Sequence, residues 1–311
     1  MEYPKYFNSK NSVNLYGLQK NFLFLSSLYT NKKLPKVLML SGAKGSGKST
    51  LINHLLFSIF DENNYNNKKF NLINNSIFFN QFKSNIFQNI IYLKGSDFKT
   101  IKVEDIRNLK SKILQTTIIN RDRFIILDDI ELFNINSLNA LLKIIEEPSK
   151  NNYFFLINNK SKPLLETIKS RSLELKIILS KKTKIEIINE LIKYHKIEIF
   201  LDPVSSNLTP GAYIKFNYIF KELNISINSK FPDNLSLLLN LHKKNKDSLF
   251  IDIILYLTDS YFKNLKVKNI IESNNSFENK HFILNNLNKY LTFNLNHNSL
   301  INAINNKLNH G

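Results

Sequence analysis

Seven glycines serve a chain of 311 residues, and three of them, Gly42, Gly45 and Gly47, fall within the stretch Val37–Leu51, VLMLSGAKGSGKSTL. The spacing is GxxxxGK[ST]. An apolar run, Val37–Leu40, precedes the glycines and predicts a buried strand, while Leu51–Phe60 behind them predicts a helix. Between the two the backbone must turn sharply and bring its N–H groups against an anion, which a Cβ at these positions would obstruct. In such a loop the lysine reaches the outer phosphates, the hydroxyl ligates magnesium, and a helix beginning at about Gly47 adds its positive dipole end. The nucleotide-binding residues are therefore expected to be Gly42, Gly45, Gly47, Lys48, Ser49 and Thr50.

Length and composition narrow the class. A chain of 311 residues exceeds one compact core and is expected to form roughly two or three domains. A hydrophobic share of 43% fits a folded protein. No apolar run approaches the ~20 residues that span a bilayer. The polar opening MEYPKYFNSKNS has no signal-peptide core, so a cytoplasmic protein is expected. The absence of cysteine excludes a disulfide, a thiolate zinc site and a cysteine nucleophile, and the histidines lack ligand spacing. A formal charge of +18 admits two readings. Lysines can displace counterions from a nucleic acid, or sit on solvated faces of a chain whose Asn, Lys, Ile and Phe come from A/T-rich codons.

Along the chain, LYGL at Leu15–Leu18 and the spacing of Phe22, Leu23, Leu25 and Leu28 predict a helix before the first strand. Asp61–Gln88 reads as a loop or insertion, in which Ser76–Phe82 fits a helical turn packed on the sheet. Asn89–Leu93 reads as a strand and Val103–Gln115 as a helix with Ile106, Leu109, Ile113 and Leu114 on one face. After a polar turn at Asn120–Arg123, the strand Phe124–Leu127 ends in Asp128-Asp129. Asn134 is the cap of a helix with the core face Leu138, Leu141, Leu142 and Ile145, ended by Pro148. A further strand, Tyr153–Ile157, runs into Asn158-Asn159. Strand alternating with helix predicts a parallel sheet with its ligand at the carboxyl ends of the strands, where Gly42–Ser49, Asp128-Asp129 and Asn158 all fall. Asp128 is placed there to hold magnesium through Ser49 or water, and Asp129 lies near where an attacking water would be oriented. From Ser180, itself a cap, the pattern is helical: Ile185, Ile188, Leu191 and Ile192, then Leu235–Leu241, Leu249–Leu257 and His281–Leu291, with Tyr213, Phe216, Tyr218 and Phe220 as core.

The segment Phe124–Ser172 combines the acidic strand end LDDIEL, the helix NSLNALLKIIEEP, the strand YFFLI and the turn SRS. In this order and spacing it resembles the clamp-loader branch of the AAA+ ATPases, most closely the delta-prime subunits of bacterial DNA polymerase III. LYGL, the phosphate loop, IKVEDIR at Ile101–Arg107 and the turn Thr209-Pro210-Gly211 extend the likeness. The resemblance implies an α/β P-loop (AAA+) domain with a parallel sheet over residues 1–179, a small helical lid over 180–212 and an all-α collar over 213–311. It implies ATP with magnesium as cofactor, and as partners the motor and delta subunits of a ring, a sliding clamp and primed DNA, with no membrane.

By the same resemblance, Arg171 matches the arginine that reaches a neighbour's ATP, where a guanidinium from outside neutralises charge on the transferring phosphoryl group. The alternative is a structural pairing with a carboxylate such as Glu174. Asn158 sits at the first-sensor position. The chain departs from the family at several points. Ser172 replaces the usual cysteine, Asp129 is one methylene shorter than the glutamate that orients water, and Ala212 stands where a second sensor arginine is expected, with Lys215 the nearest cation. An Asn-rich loop replaces the zinc module that many of these subunits carry, so no zinc is expected. A stator that supplies Arg171 to a neighbour is thus expected rather than a motor. Its rivals are an active ATPase subunit and a nucleic-acid-binding module with a vestigial phosphate loop.

Overall fold

Val37–Ser41 (β1) is followed by a short hairpin, Tyr65–Asn66 (β2) and Asn71–Leu72 (β3), and then by Ile90–Lys94 (β4), Arg123–Asp128 (β5), Asn152–Asn158 (β6) and Leu173–Lys176 (β7). Five of these strands form one parallel sheet in the order β4-β5-β6-β1-β7. These assignments come from a computed structural model that describes residues 2–73, 75–97, 101–114, 121–225, 231–265, 270–293 and 295–309. Gln115 and Asn120, parts of the predicted helix and turn, lie outside the described residues. The chain divides into two units, Met1–Lys215 and Phe216–Gly311.

The inner strands β1, β5 and β6 are largely apolar and buried because both faces of the sheet are covered there, while β4 is half-buried and β7 mostly exposed at the sheet's edges. Successive side chains alternate between faces. Leu38, Leu40, Phe124, Ile126, Phe155 and Ile157 pack under Gln19–Thr30 (α1), Lys48–Phe60 (α2) and Ile77–Lys83 (α3). Val37, Met39, Ile125, Leu127, Phe154 and Leu156 pack under Val103–Leu114 (α4), Ile135–Ile145 (α5) and Glu166–Lys169 (α6). The register pairs Ser41 with Asn158 and Lys94 with Asp128, so the polar strand ends share one edge.

Several local readings change. On α1 the buried residues are Phe22 and Leu25, whereas Leu23 is 53% exposed, because the helix offers the sheet a narrower stripe than its composition suggested. Within the insertion, the helical turn expected at Ser76–Phe82 is present as α3. Ser76 accepts from Phe79 N at 3.0 Å and caps α3, whose Phe78 and Phe82 rings pack edge-on against Phe57 with centroids at 4.9 and 5.3 Å. Arg123, expected in the turn before the strand, is buried in β5 and donates to Lys112 O and Ile113 O at 3.0 and 2.6 Å, satisfying carbonyls at the end of α4. Asn134 caps α5 as expected, accepting from Ser137 N at 2.7 Å.

Lys181–His195 (α7) begins at the predicted Ser180 cap, but buries Ile187 and Ile188 rather than Ile185, Leu191 and Ile192, which are half-buried. Pro210–Glu222 (α8) contains the division between the units. The second unit continues with Phe231–Asn245 (α9), Ser248–Asn264 (α10), Ile270–Phe293 (α11) and His297–Asn309 (α12). Its core includes Leu235, Leu238, Phe250, Ile253, Ile283, Leu287 and Ile304, with Phe231 stacked on Tyr261 at 4.6 Å. Among the described residues no helix is long and apolar enough to cross a membrane.

Candidate nucleotide site

At the end of β1 the backbone doubles over itself. Gly42 N donates to Asn158 O at 3.2 Å, and Gly47, with φ +89°, is the N-cap of α2. Gly45 has φ +81°, and a Cβ there would lie 2.6 Å from Thr209 Oγ1 and 2.7 Å from Ala212 N. Glycine is therefore required both by conformation and by the approach of the Thr209-Pro210-Gly211 turn. That turn is bonded to the loop: Thr209 Oγ1 donates to Lys44 O at 2.6 Å and Gly211 N to Gly45 O at 2.9 Å.

Lys48, only 3% exposed, donates from Nζ to Gly42 O at 2.7 Å and Ala43 O at 2.8 Å, with Ser46 Oγ at 3.4 Å. Burial lowers its pKa to about 8, against the opposing pull of Asp128, Glu131 and Asp129. Ser49 and Thr50 follow on the first turn of α2, and Ser49 Oγ donates to Asp128 Oδ2 at 3.1 Å. The structure thus brings together Gly42, Gly45, Gly47, Lys48, Ser49, Thr50 and Asp128.

The acidic end of β5 is densely bonded. Asp128 Oδ2 also accepts from Tyr92 OH at 2.5 Å, and Oδ1 accepts from Asp129 N at 2.9 Å. Burial raises the Asp128 pKa, with the neighbouring Asp129 adding to the effect and the hydroxyls of Tyr92 and Ser49 opposing it. Asp129 adopts a left-handed conformation, φ +53°, and its Oδ1 accepts from Asn159 Nδ2 at 2.5 Å. Asn158 is buried beside it, but its Oδ1 accepts from Lys160 N at 2.8 Å and closes its own turn. Glu131, 5% exposed, accepts from Asn159 N at 3.1 Å and from Ser161 Oγ at 2.8 Å, anchoring the segment after β6.

Arg171 lies apart from this cluster. Its Nε and Nη2 stand 2.7 and 2.6 Å from Glu146 Oε1, and Nη1 donates to Thr167 O at 3.1 Å. The carboxylate partner is Glu146, at the end of α5, and not Glu174, which instead accepts from Ser41 Oγ. The turn at Ser170–Ser172 folds back on α6, so the guanidinium meets the neighbouring helix end rather than β7. Lys215 is directed over the Phe7 ring, with Nζ 5.8 Å from its centroid.

Sequence reasoning missed Tyr92, Glu131, Asn159 and Glu146. Tyr92 was legible as the one residue with a hydroxyl in the otherwise aliphatic IIYL of β4, and Asn159 as the second member of an Asn pair. Nothing in the spacing of Glu131 marked it as an anchor.

The residues present fit a nucleotide with its magnesium. A Cβ-free cradle, a buried lysine and a hydroxyl–carboxylate pair supply donors for phosphate and ligands for a divalent cation. Among the described residues no group of three or more His, Cys, Asp or Glu could hold a metal ion, so magnesium would depend on phosphate oxygens for further ligands.

A phosphate loop after β1, facing an acidic strand end in a parallel sheet and followed along the chain by helices, defines a P-loop NTPase fold of the AAA+ class. The same fold is seen in a DNA polymerase III gamma subunit-related protein from Thermotoga maritima, with TM-score 0.50 and 16% identity over 90% of this chain and 96% of that one. Residues 18–180, more than half of the chain, match the family described as DNA polymerase III, delta subunit, and the chain belongs to that family, within the clamp-loader clade. It is 38% identical over 76 residues to the DNA polymerase III subunit delta' of Pseudomonas aeruginosa, covering 24% of this chain and 23% of that protein. It is 27% identical over 187 residues to the subunit gamma of Buchnera aphidicola, covering 60% of this chain and 50% of that protein. The chain therefore spans a quarter to a half of the length of these relatives.

Proposed function

We propose that this chain is a delta-prime-type clamp-loader subunit of the cytoplasm, a stator that lends Arg171 to the ATP of a neighbouring motor subunit while a sliding clamp is loaded on primed DNA. The observation that carries this reading is the setting of Arg171. Its side chain is 37% exposed and held along one side by Glu146 and Thr167. A guanidinium has five N–H donors in a fixed fork. One N–H on Nη1 and one on Nη2 are left for an anion brought by another subunit.

The chain's own site supports binding better than turnover. The loop and Lys48 would receive phosphates, and Ser49 would ligate magnesium with Asp128 as the nearest carboxylate, an ion that would neutralise phosphate charge. Asp129 is too short for its role and is bonded to Asn159, and Ala212 offers no cation. Loss of such a group costs two to four orders of magnitude, roughly 3–5 kcal/mol of barrier. Residues 180–212 serve as the lid and 213–311 as the collar that joins the motor and delta subunits.

ATP turnover tests the proposal, measured first on the chain alone and then with motor, delta, clamp and primed DNA. The expected result is negligible turnover alone and a drop of at least ~10-fold in the mixture on Arg171→Ala, about 1.4 kcal/mol. Robust turnover alone, or a mixture indifferent to Arg171, would return the chain to the motors.

A further inference from the structure

A carboxylate oxygen offers about two lone-pair positions. On Asp128 Oδ2 one receives Ser49 Oγ at 3.1 Å and the other receives Tyr92 OH at 2.5 Å. The Ser49 bond is compatible with magnesium, since a hydroxyl can ligate a cation through its own lone pair while still donating its proton. The Tyr92 bond is not neutral in the same way. Water bound to magnesium would also need to donate into Asp128, and on Oδ2 the phenol already holds the position. On Oδ1, Asp129 N takes one of the two. The ring is itself held by Lys10, whose Nζ lies 4.8 Å from the centroid of the Tyr92 ring and bonds Asn85 Oδ1 just beyond α3.

We infer that Tyr92 is a positioning residue that ties Asp128 back from magnesium, so that this chain holds nucleotide in a way that depends little on the metal. The inference rests on the reading of Gly42–Thr50 as a nucleotide loop, but not on Arg171. It supplies a third cause of weak turnover, beside Asp129 and Ala212.

The test is equilibrium binding of a fluorescent ATP analogue to the full chain, once with magnesium and once with EDTA. Wild type and Tyr92→Phe are compared, the latter keeping the ring under Lys10. In wild type the two affinities are expected to agree within about 3-fold. In Tyr92→Phe the magnesium arm tightens at least ~5-fold and the EDTA arm stays within 2-fold, and adding Asp128→Asn cancels the gain. Three results overturn the inference: equal changes in both arms, which mean altered packing; no change in either; and binding by neither protein. The last also removes the nucleotide from this chain while leaving Arg171 to be judged by turnover in the mixture, so the two readings fail separately.

Discussion

At the phosphate loop the polar side chain turns to its own backbone, Lys48 donating to Gly42 O and Ala43 O. At the acidic strand end the bonds run between elements, Asp128 to Tyr92 and Ser49, Asp129 to Asn159, and Glu131 to Asn159 and Ser161. The two regions adjoin on one sheet edge, yet they leave different capacity for a ligand. An ammonium has three donors and can share them between loop carbonyls and a phosphate. A carboxylate oxygen with both lone pairs in use, as Asp128 Oδ2 is, must release a partner before it can accept from a metal-bound water. On this comparison the loop has donors that would suit a phosphate, while the groups that would act on it already have bonds of their own.

The largest effect expected on nucleotide binding breaks the comparison on the loop side. Lys48→Ala removes the buried cation, and nucleotide affinity should fall by at least ~100-fold, about 2.7 kcal/mol, by fluorescence titration. The pKa of about 8 adds a sign. Phosphate favours the charged lysine, so wild-type affinity should weaken as pH rises above 8 while Lys48→Arg, charged throughout, does not follow it. Binding unchanged in Lys48→Ala would mean that the intact motif is only a turn.

A second effect acts behind the loop, through His54 on α2. The ring is fully buried, with Nδ1 accepting from Tyr65 OH at 3.0 Å and Nε2 donating to Ser12 O at 3.2 Å, and burial lowers its pKa to about 4 from 6.5. A base whose folded pKa is depressed binds more protons when unfolded, so its contribution is present above pH 6.5 and is lost as pH falls toward 4. The loss is on the order of 3 kcal/mol. Urea midpoints across this range should fall in wild type and flatten in His54→Gln. Equal slopes would place the acid sensitivity elsewhere.

The fold was legible because its signals are local. Apolar runs gave the strands, and the caps at Asn134 and Ser180 gave helix starts, since each depends on neighbours within a turn. The phosphate loop was legible because only glycine serves there, and Asp128 because it ends a buried strand. Glu131 and Glu146 were not, since what each does is set by partners 25 to 30 residues away. The choice of Glu174 for Arg171 shows the same limit. It was near in sequence, but Ser41 Oγ takes it, leaving the arginine to the end of α5.

The smallest expected effect sharpens the contrast between the site and Arg171. The Arg171–Glu146 pair joins side chains that are 37% and 45% exposed, and pairs of that kind contribute under ~1 kcal/mol to stability. Glu146→Ala should therefore shift the urea midpoint by an amount equivalent to less than ~1 kcal/mol, and Arg171→Ala by no more. This separates the two uses of one arginine. If Arg171→Ala depresses turnover in the assembled mixture while the isolated chain keeps its stability, the guanidinium acts beyond its own fold. A loss above ~2 kcal/mol in either variant would instead make the pair a structural clasp, because an exposed ion pair has no other route to so large an effect.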